Sequence, residues 1–134
     1  MKPKRISIMG TGYVGLCTAI GLASKGYEVV ASTNNPEKAA SINKGFSPFY
    51  EPLLKESLKR VVRKGYLKCV VERQEAVLNT DITFITVGTP SKPDGSIDLQ
   101  YVKSSAVKIG EALNKKDAYQ LVVVKSTVVP STTE

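Results

Sequence analysis

The stretch Arg5-Ile6-Ser7-Ile8-Met9-Gly10-Thr11-Gly12-Tyr13-Val14-Gly15 constrains the fold more than any other. A β-branched apolar run stops at a glycine. A helical pattern begins at once, with Val14, Leu16, Cys17, Ala19, Ile20, Leu22 and Ala23, and closes at Gly26. Strand, tight turn and helix therefore carry a Gly-x-Gly-x-x-Gly spacing at Gly10, Gly12 and Gly15. Gly10 lets the chain leave the strand in a conformation that a Cβ would obstruct. The bare backbone at Gly12 lets a diphosphate approach, and Gly15 lets the helix lie close to the strand. The unpaired N–H groups of the helix start then face the phosphates. The same spacing also occurs in tight turns that bind nothing; the strand before it and the helix after it favour the nucleotide reading.

The rest of the chain alternates in the same way. Residues 28–32 read as a second strand, ended by Thr33-Asn34-Asn35. Asn35 is a good N-cap, Pro36 suits the first helical position, and the helix runs through Ala39, Ala40 and Ile42 to a stop at Gly45. A loop with two prolines follows, Phe46-Ser47-Pro48-Phe49-Tyr50-Glu51-Pro52. Pro52 opens a further helix in this reading, with Leu53, Leu54, Leu58, Val61 and Val62 at helical spacing and Gly65 at its end. Residues 67–71 form a third strand and 74–78 a helical turn. Residues 81–87 form a fourth strand, apolar enough for burial on both faces. Asp98 caps a helix carrying Leu99, Val102, Ala106, Ile109 and Leu113, and residues 121–125 form a fifth strand. Alternation of this kind predicts an α/β fold: a doubly wound parallel sheet, Rossmann-like, with strand order 3-2-1-4-5, truncated after the fifth strand. Three polar loops then meet at the strands' carboxyl ends: the glycine turn, residues 88–91 and residues 126–128.

Composition narrows the chemistry. The 134 residues suffice for one domain with its own core. No apolar run is long enough to cross a bilayer and no secretory signal precedes the first strand, so no membrane partner is expected and the expected compartment is the cytoplasm. The chain has no histidine, which removes the commonest general base and metal ligand, and no metal is expected. Cys17 and Cys69 stand in regular elements without redox or ligand spacing and read as buried free thiols. Much of the net charge of +7 lies in Lys55, Lys59, Arg60, Arg63, Lys64 and Lys68. No aromatic residues are interleaved for base stacking, so this is read as a solvated helix face rather than a nucleic-acid surface.

Four motifs in order resemble the UDP-glucose/GDP-mannose dehydrogenase family. They are Gly10-Thr11-Gly12-Tyr13-Val14-Gly15-Leu16; Asn43-Lys44-Gly45 followed by Ser47-Pro48-Phe49-Tyr50-Glu51-Pro52; Val87-Gly88-Thr89-Pro90 with Asp94-Gly95 and Asp98-Leu99; and Lys125-Ser126-Thr127-Val128. The resemblance covers essentially the whole chain. It implies an enzyme that oxidises the C6 hydroxymethyl group of a nucleotide sugar to a carboxylate with two NAD+. It also implies that residues 1–134 are the dinucleotide-binding domain alone. In the family a central helix, through which members dimerise, and a nucleotide-sugar domain with the catalytic cysteine follow. UDP-glucose 6-dehydrogenation to UDP-glucuronate is the first expectation for the complete enzyme, as a homodimer, with no turnover by this chain alone. GDP-mannose and UDP-N-acetylhexosamine dehydrogenation are alternatives.

The resemblance also assigns roles. Gly10, Thr11, Gly12, Tyr13, Val14 and Gly15 form the diphosphate turn. Thr33 and Lys38 approach the adenosine ribose. Val87, Gly88, Thr89 and Pro90 border the ribose and diphosphate, together with Ser126. Thr127 matches a threonine that helps place a water near the reacting carbon, and is the only residue of catalytic class here; the alternative for it is a hydroxyl that caps the strand end. Glu51 reads equally as a cap for the helix opened by Pro52.

Two departures stand out. Thr33 occupies the place of the acid that normally grips the 2′-hydroxyl of NAD, about twenty residues past the glycines. NAD remains the expected cofactor, but the loss of the acid also admits NADP. Ser131 stands where the family has glycine after the proline, and serine resists positive φ. Two other classes remain open: a dehydrogenase of another small substrate such as a hydroxy acid, and a non-catalytic nucleotide-sensing domain.

Overall fold

The computed structural model describes residues 4–134; Met1, Lys2 and Pro3, most of the short basic lead-in, lie outside the described residues. Five strands are connected by five helices, two of them consecutive between β2 and β3: β1 (Ile6–Met9), α1 (Tyr13–Ser24), β2 (Val29–Ser32), α2 (Pro36–Asn43), α3 (Leu54–Arg63), β3 (Leu67–Val70), α4 (Arg73–Leu78), β4 (Ile82–Ile85), α5 (Gln100–Leu113) and β5 (Leu121–Val124). All strand pairs are parallel and the order is β3-β2-β1-β4-β5. This is the doubly wound arrangement expected from the alternation, with the order reversing between β1 and β4.

The period of two along each strand sorts the core into two layers. Ile6 and Ile8 of β1, Val29 and Ala31 of β2, and Leu67 and Cys69 of β3 face α1, α2 and α3. Met9 and Ile85 face the other way, toward Val77 of α4 and Ile109 and Ala112 of α5. Two polar side chains inside the sheet satisfy each other: the Ser7 and Thr83 hydroxyls lie 2.7 Å apart across β1 and β4. Gln120 donates to Thr83 Oγ1 as well. On the outer edge, the Asn43 side chain imitates a neighbouring strand. It donates to the Cys69 carbonyl at 2.8 Å and accepts from the Cys69 amide at 2.7 Å. An open edge is thereby blunted.

Three elements differ from expectation. Only Thr83 and Ile85 of β4 are buried, while Ile82 and Phe84 are half-buried. The helices on that face pack against β1, β2 and β3 and leave it partly uncovered at β4 and β5. The helix expected to open at Pro52 begins at Leu54, because Leu53 takes a left-handed conformation, φ +66°, that interrupts it. The loop of residues 88–97 folds back on itself through a bridge between Ser91 and Ile97, with Gly95 at φ +84° in its turn. Helix α5 begins at Gln100 with Leu99 as its N-cap, so Asp98 does not cap it; the Asp98 carboxylate accepts the Gln100 amide at 2.9 Å just outside the helix. Helix α3 buries Leu54, Leu58 and Val61 and turns its lysines and arginines to solvent.

Ser131 has φ +70°, so this position does require the left-handed backbone that a family glycine would adopt freely. Such a conformation costs a residue with a Cβ about 1 kcal/mol. Residues 129–131 are exposed, so the cost is released by local opening. The variant Ser131→Gly is expected to leave the melting temperature nearly unchanged. It should slow amide exchange several-fold at Thr132, whose N–H donates to the Val129 carbonyl. Unchanged exchange at Thr132 would contradict the strain.

Candidate functional site

The carboxyl ends of β1, β4 and β5 bring three loops together at the point where the strand order reverses. The first is the turn from Gly10 to Gly15. Gly10 has φ +102° and donates to the Ser32 carbonyl, which directs the chain out of the sheet. Helix α1 then starts, and its first intrahelical bond runs from the Leu16 amide to the Gly12 carbonyl. The amides of Tyr13, Val14 and Gly15 precede that bond. Each lacks a backbone acceptor among the described residues and carries the positive end of the helix dipole.

The three glycines have separable physical roles. A Cβ on Gly15 would stand 2.0 Å from the Gly10 carbonyl oxygen and 2.6 Å from Thr86 Oγ1, so Gly15 is required for helix-on-strand packing. A Cβ on Gly12 would meet nothing within 4 Å, and the backbone there is ordinary extended chain, φ −70° and ψ −168°. No atom of the described protein therefore demands glycine at position 12. The open space in front of it is what a diphosphate would occupy. The Thr11 hydroxyl in the same turn is buried, at 3% exposure, and has no partner among the described residues. A buried hydroxyl left unpaired costs about 1–3 kcal/mol. Orphaned donor, open cradle and unpaired helix-start amides together fit an anionic ligand.

The second loop follows β4. Thr86 ties it to the glycine turn: its hydroxyl donates to the Met9 carbonyl at 2.9 Å and the Gly10 carbonyl at 3.1 Å, and its amide donates to Met9 as well. Val87 follows, its Cα and Cγ1 each 3.3 Å from where a Cβ on Gly10 would stand, and Gly88, Thr89 and Pro90 continue the loop. Sequence reasoning passed over Thr86. A lone threonine at the end of an apolar strand gives no signal until the neighbouring strand is known.

The third loop follows β5. The Ser126 hydroxyl donates to the Val87 carbonyl at 2.7 Å and so binds the end of β5 to the second loop. Ser126, not Thr127, thus takes the role of a hydroxyl that caps the strand end. Thr127 is exposed, and its hydroxyl makes no hydrogen bond among the described residues.

The Glu51 side chain does not cap α3; the backbone carbonyl of Glu51 accepts the Leu54 amide instead. Its carboxylate accepts the Tyr13 hydroxyl at 2.7 Å, and the Tyr13 ring leans on Phe49, with centroids 5.2 Å apart. The hydrogen bond to Glu51, with smaller contributions from desolvation and charge, raises the pKa of Tyr13 above its ordinary value. The proline-rich loop is thus latched to the glycine turn.

At the end of β2, Thr33 is buried, its amide donates to the Val70 carbonyl, and its hydroxyl accepts the Asn35 amide at 3.3 Å. Lys38 lies half-buried in the first turn of α2. Burial pushes the Cys69 thiol up to about 11. Burial, with Glu51 adding to it, also raises the Cys17 thiol. Neither cysteine is primed as a thiolate nucleophile. Among the described residues no helix is long and apolar enough to cross a membrane.

Known proteins resemble the chain over nearly its whole length. The model of the UDP-glucose/GDP-mannose dehydrogenase family, NAD binding domain, matches residues 4–134. A GDP-mannose 6-dehydrogenase of Pseudomonas aeruginosa is 42% identical over 128 residues, 96% of this chain and 29% of that protein. A UDP-glucose 6-dehydrogenase of Haloferax volcanii is 44% identical over 128 residues, again 96% of this chain and 29% of the relative. The structure of a UDP-glucose dehydrogenase from Pyrobaculum islandicum superimposes with a TM-score of 0.94 at 44% identity, over 98% of this chain and 30% of that one. The chain therefore spans about three tenths of the length of the proteins it matches.

Proposed function

The chain belongs to the UDP-glucose/GDP-mannose dehydrogenase family, as its NAD-binding domain, and on that premise we propose that it serves an enzyme oxidising the C6 hydroxymethyl of UDP-glucose to the carboxylate of UDP-glucuronate. The observation that carries the cofactor role is the open space before Gly12, faced by the free amides of Tyr13 and Val14 and the orphaned Thr11 hydroxyl. These groups hold the diphosphate. Gly88, Thr89 and Pro90 would border the ribose and diphosphate on the β4 side. The bound nicotinamide supplies a hydride acceptor. Thr127, with its hydroxyl exposed at the end of β5, orients a water toward the carbon that is oxidised. The UDP-glucose reading is supported by one relative and one structure of that name, each at 44% identity; GDP-mannose, named for several relatives at up to 43%, is the second reading. The complete enzyme is a cytoplasmic homodimer in this account, with the nucleotide sugar bound outside the residues present here.

The 134-residue chain alone is expected to bind NAD+ without turning over a nucleotide sugar. It has no histidine, and burial raises both thiols above the ordinary thiol value. Incubation with NAD+ and UDP-glucose should give no steady rise of NADH absorbance. Sustained NADH production by this chain would refute the division of labour. For the complete enzyme, a higher kcat/KM with UDP-glucose than with GDP-mannose or a UDP-N-acetylhexosamine is expected; the reverse order overturns the substrate.

A further inference from the structure

A second concavity lies at the same sheet edge, beyond β2 and β3. Strands β2 and β3 leave the sheet side by side, because the Thr33 amide donates to the Val70 carbonyl. Asn34 and Arg73 follow them and line one cleft of about 500 Å³ with Glu72, Tyr101, Ser104 and Lys108. In a doubly wound sheet with its diphosphate at the β1 turn, the end of β2 is where the adenosine ribose lies. The cleft therefore lies beside the 2′ position of the cofactor.

Its charges are unusual for an NAD site. The acid that would accept the 2′-hydroxyl and repel a 2′-phosphate is absent, and Thr33 stands there with its hydroxyl oxygen accepting the Asn35 amide. That hydroxyl keeps its own hydrogen free for an outside acceptor. Two cations face the cleft. Lys108 is held at 3.0 Å by Glu111, whereas Arg73 has no ion pair among the described residues. Glu72 is the one carboxylate on the lining.

We propose that this cleft is a subsite for the 2′-phosphate of an adenine dinucleotide, with Arg73 as its charged ligand and Thr33 and Asn34 as neutral donors. The chain then accepts NADP+ as well as NAD+. Guanidinium suits this role because its planar fork matches two phosphate oxygens at once. A bond to a charged acceptor is about twice as strong as a neutral one, so the phosphate gains what the ribose hydroxyl alone cannot. Tyr101, 48% exposed at the start of α5, supplies an aromatic wall for the adenine. This inference rests on the dinucleotide reading of the glycine turn.

Calorimetric titration of the chain with NAD+, NADP+, ADP and adenosine 2′,5′-bisphosphate tests it without any turnover. NADP+ is expected to bind within about tenfold of NAD+, and the bisphosphate more tightly than ADP. Arg73→Gln should weaken NADP+ by about tenfold and NAD+ by less than about twofold. Thr33→Asp should weaken NADP+ by on the order of 100-fold while tightening NAD+, which would also show the variant to be folded. NAD+ binding with NADP+ more than about 100-fold weaker overturns the subsite and leaves the dinucleotide site standing. Equal losses for both cofactors in Arg73→Gln overturn the role of Arg73. Failure of both cofactors to bind overturns the glycine-turn reading itself, and this inference with it.

Discussion

Gly15→Ala is expected to destabilise the domain by roughly 3 kcal/mol or more and to abolish cofactor binding with it. The added methyl would sit 2.0 Å from a backbone carbonyl oxygen, that of Gly10, and 2.6 Å from Thr86 Oγ1. No rotamer change relieves a clash with main chain. Either α1 lifts from β1, opening the packing of Leu16, Ala19 and Ile20 against Ile6 and Ile8, or the Gly10 turn is pushed out and Thr86 loses its two carbonyls. Both routes disturb the amides that begin α1. Urea unfolding gives the stability and an NAD+ titration gives the affinity. A variant as stable as the parent would show that helix and strand do not meet as closely as described.

Gly12→Val is the complementary case, in which binding is lost while the fold is kept. Its backbone is extended, and a Cβ there touches nothing. Folding should lose at most about 1 kcal/mol, the difference between glycine and a poor N-cap residue. The branched side chain would project into the space before the helix start, where a diphosphate must come within hydrogen-bond distance of the Tyr13 and Val14 amides. Loss of several charge-assisted bonds predicts NAD+ affinity falling by on the order of 100-fold or more. Unimpaired NAD+ affinity in a folded Gly12→Val protein would place the diphosphate elsewhere. Read together, the two variants separate packing from binding within one motif of six residues, Gly10 to Gly15.

The backbone of this fold was legible wherever a local pattern has only one structural solution. The glycine spacing between a strand and a helix fixes the first turn. Asn35-Pro36 starts α2, with Asn35 Oδ1 accepting the Lys38 amide at 3.1 Å. Regular alternation of strands and helices predicts the observed order of five parallel strands. Even the glycine expected at Ser131 announces its positive φ. What stayed hidden depends on residues far apart in the chain. The Tyr13–Glu51 bond spans 38 positions and the Thr86–Gly10 bond 76, and neither partner implies the other before the strands are paired. Half-burial of β4 is equally non-local: Ile82 and Phe84 read as core, and only the placement of the helices over β1, β2 and β3 shows that face to be partly open. Leu53 gave no warning, since leucine has no preference for the left-handed conformation it adopts. Arg73 lies forty residues after Thr33 and shares a cleft with Asn34 only because β3 pairs with β2.

The site rests on backbone amides, and those amides can be observed one at a time. Titration of the isotopically labelled chain with NAD+, followed by amide resonances, tests this directly. Saturable shifts are expected at Gly12, Tyr13, Val14, Gly88 and Thr89, with Lys59 and Arg60 on the basic face of α3 unmoved. Shifts confined to α3, or none at saturating cofactor, would contradict a diphosphate held at the head of α1.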